Sequence, residues 1–322
     1  MKKFFRRTAL FLFMIYILAA NANAADLLIP GGQVIGLELR DNTVTVAAFD
    51  DVLGTTARDA GLKEGDRILR IDSTEITCVD DVRKALTHSD GHVDIAVLRS
   101  GKTKEFSVSP ALTKEGPRLG VYLKQGTTGI GTVTYYNPET EDFAALGHGV
   151  NSQNGSLVQM EAGAVYPAHV KAVKKGAVGK PGQLCGSLSG NTPAGTIDKN
   201  TVQGVFGNLD FDISGTPLPV GEAEDVHTGS ATIRSTIEGN TLREYSVEIL
   251  KIYPNHNGRN RNMLLKVTDP TLLETTGGIV QGMSGSPLVQ DGKLIGAVTH
   301  VLVNDPTMGY GIFIENMLEA AG

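Results

Sequence analysis

The sequence GMSGSPLVQDGKLIGAV at residues 282–298 places one serine between two glycines, directly before a β-rich run. A serine hydroxyl is a weak nucleophile unless a base removes its proton and backbone N–H groups receive the developing oxyanion. Gly282 and Gly285 have no Cβ, so the backbone beside Ser284 can bend until N–H groups point at one spot. A glycine-rich hairpin turn is the alternative. Pro287 and the strand pattern at residues 292–298 favour a nucleophile turn.

A hydroxyl nucleophile needs a base, and His148 has the most suitable surroundings of the seven histidines. It lies in FAALGHGV, residues 143–150, where an apolar strand ends and glycines flank the imidazole. That pattern predicts a histidine at an uncluttered strand end, which suits a proton shuttle. His169 and His256 are the reserve candidates.

The third member of such a site orients the imidazole and stabilises its charged form. Asp269 follows an apolar run but precedes a proline, and Asp-Pro is typical of the start of a turn. The other candidates are Asp210, Asp212 and Asp142. The residues by themselves leave this choice open.

The N-terminus carries basic residues, an apolar run at residues 8–20, and the tripeptide Ala-Asn-Ala at residues 22–24. This layout indicates a secretory leader over residues 1–25, either a cleaved signal peptide or an uncleaved membrane anchor. The run is shorter than the roughly 20 residues that span a bilayer. Residues 26–33 contain Pro30 and two glycines without a strand or helix period, so they are predicted to be exposed and mobile.

Residues 33–110 resemble a PDZ module. The clearest part is residues 57–69, where a short helical turn stopped by Gly61 is followed by Gly-Asp and a strand. Strands are predicted at 37–40, 43–49, 93–99 and 104–108, and a helix at 79–88. We expect Ile35, Gly36 and Leu37 to bind a peptide through backbone N–H groups and a strand edge.

From residue 117 the chain is rich in glycine and short strand patterns, and helical periodicity returns only at residues 315–321. Evenly spaced short strands are typical of barrels or sandwiches. The predicted fold class is therefore mainly β: a leader, a PDZ module, and two β-barrels over residues 117–322 with the site between them.

The composition argues against nucleic-acid binding and against metal-dependent chemistry. The net charge of −6 leaves no basic excess suited to nucleic acid. The two cysteines, Cys78 and Cys185, have no metal-ligand spacing, and the metallopeptidase pattern His-Glu-x-x-His is absent from the sequence. We predict no metal site and no cofactor.

Residues 282–298 resemble the nucleophile region of chymotrypsin-like peptidases, with Ser286 in place of a glycine. In that group the residue two before the nucleophile and the nucleophile itself form the oxyanion hole, which implies the N–H groups of Gly282 and Ser284. The place of His300 just past the strand implies a position in the substrate cleft.

Nearly the whole chain resembles the stage IV sporulation protein B peptidase family, through the LGHG and GMSGSP motifs and the order leader, PDZ module, peptidase. The resemblance implies a triad of His148 as base, Asp269 as orienting acid and Ser284 as nucleophile. It also implies an exported sporulation peptidase, anchored or released between the forespore and mother-cell membranes. Such a peptidase processes itself and cleaves a regulatory membrane protein, which triggers maturation of a late sigma factor.

The expected partners are a protein substrate at a membrane, a peptide or protein ligand of the PDZ module, and a second copy for processing in trans, with no nucleic acid. The alternative function is a catalytically silent PDZ adaptor outside the cytoplasm. A stress-type chaperone-protease is disfavoured, because in that group the PDZ module follows the peptidase.

Overall fold

The computed structural model describes residues 27–89, 91–152, 155–254 and 260–322, and within them it is mainly β, as predicted. The helices are α1 (Thr55–Asp59), α2 (Val79–Thr87), α3 (Pro270–Thr276) and α4 (Ile314–Ala321). The strands are β1 (Leu27–Pro30), β2 (Val34–Phe49), β3 (Arg67–Ile71), β4 (Thr74–Glu75), β5 (Val93–Arg99), β6 (Lys102–Val108), β7 (Ala111–Thr113), β8 (Gly116–Arg118), β9 (Val121–Tyr136), β10 (Asp142–Ala145), β11 (Ala162–Lys174), β12 (Gln183–Leu188), β13 (Gly195–Thr201), β14 (Gly204–Leu209), β15 (Leu218–Pro219), β16 (Gly229–Glu238), β17 (Thr241–Ile252), β18 (Met263–Val267), β19 (Pro287–Gln290), β20 (Lys293–Leu302) and β21 (Asp305–Phe313).

The first barrel is a ring of six antiparallel strands in the order β9, β10, β14, β13, β11, β2, and the pairing of β2 with β9 closes it. Its core is apolar, with Tyr136 and Phe143 among the largest fully buried side chains. Closure leaves no edge strand on this ring, which removes a site for unwanted strand pairing.

The second barrel is a closed six-stranded ring in the order β16, β17, β18, β21, β20, β19. The strand predicted at residues 292–298 is part of β20, and the predicted C-terminal helix is α4, whose Ile314 and Met317 are buried. The prediction of a double β-barrel is confirmed.

The PDZ module lies between the two long strands β2 and β9 and contains β3 to β6, α1 and α2. Helix α2 forms where the 79–88 period predicts it, and it buries Val82, Ala85 and Leu86. Asp66 of the predicted Gly-Asp turn is fully buried and forms an ion pair with Arg99, 2.6 Å from Oδ1 to Nε. This pair joins the turn to β5, which lies between β3 and β6.

Strands β2 and β9 each run through both the PDZ module and the first barrel. Residues 44–49 of β2 pair with β3 and the start of β9, whereas residues 34–39 pair with the barrel strands. The predicted units 33–110 and 117–322 therefore share two continuous strands.

The prediction that Ile35, Gly36 and Leu37 bind a peptide is wrong in this structure. These residues lie inside the first barrel, where Gly36 faces Ile130 of β9 on one side and Tyr166 of β11 on the other. Because both edges of the strand are already paired, no backbone edge remains for a peptide.

The prediction for residues 26–33 is also wrong for the part that the structure describes. Leu27–Pro30 is strand β1, which pairs with β9 and β15, and Leu28 and Ile29 are buried. Tertiary pairing overrides the absence of a local period here. The predicted leader, residues 1–25, lies outside the described residues. Among the helices that the structure describes, none is long and apolar enough to cross a membrane.

Candidate active site

The turn that carries Ser284 belongs to the second barrel but is held by the first. Gly285 has a φ of +95°, and a Cβ at this position would lie 2.1 Å from the carbonyl oxygen of Thr132, so only glycine fits. Two threonines of β9 donate to carbonyl groups of the turn: Thr132 Oγ1 to Gly282 at 2.7 Å and Thr134 Oγ1 to Gly285 at 2.8 Å. The barrel interface therefore fixes the shape of the nucleophile turn.

Those two threonines support the site and were not predicted from the sequence. Both are fully buried, and they alternate along β9 with apolar residues. Two polar side chains at alternate positions of an otherwise apolar strand were the available indication, because a buried hydroxyl needs a partner.

His148 lies three residues beyond β10, as the sequence pattern predicts. The chain turns there through Leu146 at a φ of +73°, an unfavourable backbone region for leucine. Nδ1 of His148 lies 3.0 Å from the carbonyl oxygen of Gly149. With its proton on Nδ1 donated to that carbonyl, the imidazole keeps Nε2 free as a proton acceptor.

Burial lowers the pKa of His148 below its ordinary value, and the bond to Gly149 opposes this effect. The imidazole is therefore neutral near pH 7, which is the form that a general base requires.

Ser284 and His148 line the same cleft, of about 490 Å³, and His300 lines it with them. The Ser284 hydroxyl donates to the carbonyl oxygen of Thr299 at 2.8 Å rather than to His148. A rotation of the Ser284 side chain would have to redirect the hydroxyl from Thr299 to His148. Catalytic hydrogen bonds of this kind often form fully only when substrate binds. The structure thus brings both predicted residues, from two barrels, to one cleft.

The predicted oxyanion donors are available. Neither the Gly282 N–H nor the Ser284 N–H makes a backbone hydrogen bond within the described residues, whereas the intervening Met283 N–H donates to Val280. Two free N–H groups, one on the nucleophile residue and one two residues before it, can receive negative charge on a carbonyl oxygen.

Asp269 does not hold His148 in this structure, which corrects the family-based prediction. Its carboxylate caps α3, with Oδ1 accepting from the Leu272 N–H at 2.9 Å, and it is absent from the cleft lining. The Asp-Pro pair begins a helix that the sequence reasoning missed: aspartate is a favoured N-cap and Pro270 occupies the first helical position. The helix uses the carboxylate that the triad was predicted to need.

The alternative carboxylates are also occupied or distant. Asp142 accepts from Thr140 and Asn208, and Asp212 accepts from the Tyr136 hydroxyl at 3.0 Å. Neither of them nor Asp210 lines the cleft, and the cleft lining within the described residues contains no carboxylate.

The reserve histidines do not compete with His148. His169 is half-buried, its Nδ1 lies 3.1 Å from the Ser189 hydroxyl, and it is absent from the cleft lining. His256 lies outside the described residues. Within the described ranges, no three His, Cys, Asp or Glu side chains are placed to hold a metal ion.

A second cleft, of about 560 Å³, lies on the PDZ module between α2 and the start of β9. Val79, Val82, Arg83 and Leu86 of α2 line one wall, and residues 120–123 line the opposite wall. The described residues provide no strand that pairs with the outer edge of residues 121–125. The free strand edge that was predicted at residues 35–37 therefore lies here instead.

Two family models match the chain. The family SpoIVB peptidase S55 matches residues 115–318, and the PDZ domain family matches residues 33–109. A stretch of 118 residues is 29% identical to a putative zinc metalloprotease of Rhizobium meliloti, covering 36% of this chain and 29% of that protein. The chain thus spans less than a third of that curated relative.

Two protease structures are similar at low identity. The active form of the Rv3671c protease from M. tuberculosis is 17% identical with a TM-score of 0.37, covering 60% of this chain and 72% of that one. The HtrA-type protease AlgW with a decapeptide is 16% identical with a TM-score of 0.34, covering 65% and 57%. The family match covers more than half of the present sequence. The chain therefore belongs to the SpoIVB peptidase S55 family, and it is a serine endopeptidase that carries a PDZ module.

Proposed function

We propose that this endopeptidase is exported, acts in sporulation, and cleaves a regulatory membrane protein whose cleavage triggers late sigma-factor maturation. Ser284 is the nucleophile and His148 the general base. The observation that carries the chemistry is the shared cleft, which both Ser284 and His148 line, together with the free N–H groups of Gly282 and Ser284. The family match supports the link to sporulation.

In the proposed reaction the Ser284 hydroxyl leaves Thr299 and attacks the scissile carbonyl carbon, while its proton passes to Nε2 of His148. The carbonyl oxygen becomes an oxyanion between the N–H groups of Gly282 and Ser284. His148 then gives the proton to the leaving amine, and water later releases the acyl group by the same route in reverse. The Gly149 carbonyl keeps Nδ1 protonated throughout, which is part of what the orienting acid of a triad does.

A fluorophosphonate probe tests this assignment against the silent adaptor. We expect wild-type protein to be labelled on Ser284, because only an activated serine displaces fluoride at a useful rate, and we expect no labelling of Ser284→Ala. Peptide mapping of the labelled protein identifies the residue. An unlabelled wild type with an intact fold would favour the adaptor.

The PDZ ligand is proposed to be an extended peptide segment of a protein partner, of the substrate, or of a second copy of this chain. It would add as a strand to the free edge at residues 121–125 and place side chains against α2. The apolar wall of α2 supports this position, since Val79 and Val82 face the cleft.

Val79→Glu is expected to weaken capture of a protein substrate about tenfold, because it puts a charge on the apolar wall. Folding should survive, since an acidic residue is favourable in the first turn of a helix. The measurement is kcat/KM on fluorescein-labelled casein and on a short peptide, and only the casein value should fall. Val52→Glu is the matched control, because Val52 is 79% exposed and outside the cleft. Equal loss on both substrates would contradict a separate binding role.

A further inference from the structure

The cleft contains a second imidazole beside the proposed base. The ring centroids of His148 and His300 lie 5.4 Å apart, and the ring planes are tilted by 42°. The two rings come from different barrels: His148 follows β10 of the first, and His300 lies on β20 of the second. Thr299, whose carbonyl oxygen accepts the hydrogen bond from the Ser284 hydroxyl, is the residue before His300.

No hydrogen bond of Nδ1 within the described residues explains why His300 lies in the cleft. Its Nδ1 is buried and has no hydrogen-bond partner within the described residues. A buried unpaired polar atom costs stability, and such atoms in native structures call for a functional explanation. The ring is therefore not placed here to complete a hydrogen-bond network of the fold.

The site also lacks the group that normally stabilises a charged catalytic histidine. The cleft lining contains no carboxylate within the described residues, and the Gly149 carbonyl fixes the tautomer of His148 but carries no full negative charge. When His148 takes the Ser284 proton it becomes a cation, and something nearby has to compensate for that charge.

A neutral aromatic ring can supply part of this compensation. Cations within about 6 Å of the centroid of Trp, Tyr or Phe are attracted by the ring quadrupole, and the attraction grows when the pair is desolvated. We extend this effect to the neutral imidazole of His300. Burial, the neighbouring His148 and the charge of Arg261 lower the pKa of His300 to about 4, so its ring is neutral near pH 7.

Resting on the proposed function, we infer that His300 is a positioning residue: its neutral ring packs against His148 and stabilises the imidazolium formed during catalysis, in the place of a triad carboxylate. The charged and titratable groups that face His300 are His148 across the cleft, Arg261, and Tyr310, which pairs with His300 on β21. None of them is a carboxylate, so the ring of His300 is the compensating feature within the described residues.

The test is the rate of fluorophosphonate labelling, which needs no natural substrate. As the Ser284 oxygen–phosphorus bond forms and fluoride leaves, the hydroxyl proton passes to His148. We expect His300→Leu and His300→Gln to lower the labelling rate constant about 2- to 30-fold at saturating probe, with an unchanged half-saturating concentration. His300→Phe, which keeps a ring face, should stay within about twofold of wild type.

The pH profile separates this role from simple burial. A ring that stabilises the imidazolium raises the pKa of His148, so its loss in His300→Leu should move the acid limb of labelling to lower pH. If His300 merely excludes water from His148, the acid limb of labelling should stay in place in His300→Leu, because leucine excludes water as well. His227→Leu is the matched control, because His227 is exposed and bonded to Asp291 on the outside of the second barrel.

Each outcome decides between the two proposals. If wild type is not labelled on Ser284, the proposed function fails. If wild type is labelled and the His300→Leu and His300→Gln rates and acid limbs match it, the role of His300 is refuted alone. A phenylalanine variant as slow as the leucine variant, or a change confined to the half-saturating concentration, refutes it equally.

Discussion

Ser284→Ala and His148→Ala are each expected to lower kcat by about 10⁶-fold, because a nucleophile and its base act as one unit and the loss of either removes the covalent route. The structure indicates that neither substitution should disturb the fold. Ser284 loses one hydrogen bond to Thr299, a net effect of about 1 kcal/mol on stability, and His148 is only partly buried. Thermal unfolding should therefore stay close to that of wild type.

The double variant sharpens this test. If Ser284 and His148 act together, removing both should reduce kcat on fluorescein-labelled casein no further than removing one. Effects that multiply would show that the two residues work independently. Near-normal turnover by Ser284→Ala would overturn the assignment of the nucleophile.

The second large effect concerns the N-terminal strand. A chain that begins at Val34 should fail to fold or label with a fluorophosphonate, whereas one that begins at Leu27 should do both. Strand β1 pairs with Tyr135 and Tyr136 of β9, and it buries Leu28 and Ile29. Losing two buried aliphatic side chains costs several kcal/mol, a large share of the 5–15 kcal/mol that stabilises a typical domain.

The same segment also joins the barrels. Arg234 Nη1 donates to the Pro30 carbonyl at 2.7 Å and Thr236 Oγ1 donates to the Gly32 carbonyl at 3.0 Å, both from β16 of the second barrel. The Gly31 N–H donates to the carbonyl of Thr134, the residue that holds Gly285. Circular dichroism, thermal unfolding and probe labelling of the two truncated chains measure the effect.

This packing limits where self-cleavage can occur. Residues 28–32 are buried in the fold, so a peptidase that processes its own N-terminus should cut before Leu27. Intact-mass analysis should find the wild-type N-terminus there and a longer form of Ser284→Ala. Identical N-termini would attribute processing to another peptidase, and an active wild type that begins after Gly32 would contradict the role of β1.

Local pattern was sufficient to single out Ser284 and His148, the proposed nucleophile and base. Gly285 has a φ of +95°, a left-handed conformation that favours glycine, so the glycines around Ser284 mark this turn in the local sequence. The strand that ends before His148 and the helix over residues 79–87 likewise follow from apolar periodicity alone.

Pairing decided what local pattern could not. The run that begins at Ile35 is compatible with the edge of a PDZ module or with a barrel strand, because both need the same alternation of side chains. Only the approach of Tyr166 on one side and Ile130 on the other makes it a barrel strand. The short stretch Leu27–Pro30 has no period of its own and becomes a strand because β9 and β15 offer it partners.

The surroundings of the base depended most on tertiary structure. Asp269 precedes a proline, and this pair serves equally well as the cap of a helix or as part of a catalytic turn. The cap prevails because the N–H of Leu272 lies 2.9 Å from its carboxylate. His300 is 152 residues from His148 in sequence, and only the docking of the two barrels brings the rings within 5.4 Å. Sequence by itself determined which residues can do the chemistry, because that depends on side-chain type and local backbone freedom. Which of them meet was decided by strand pairing across the whole chain, since contacts between distant residues form only when the barrels close.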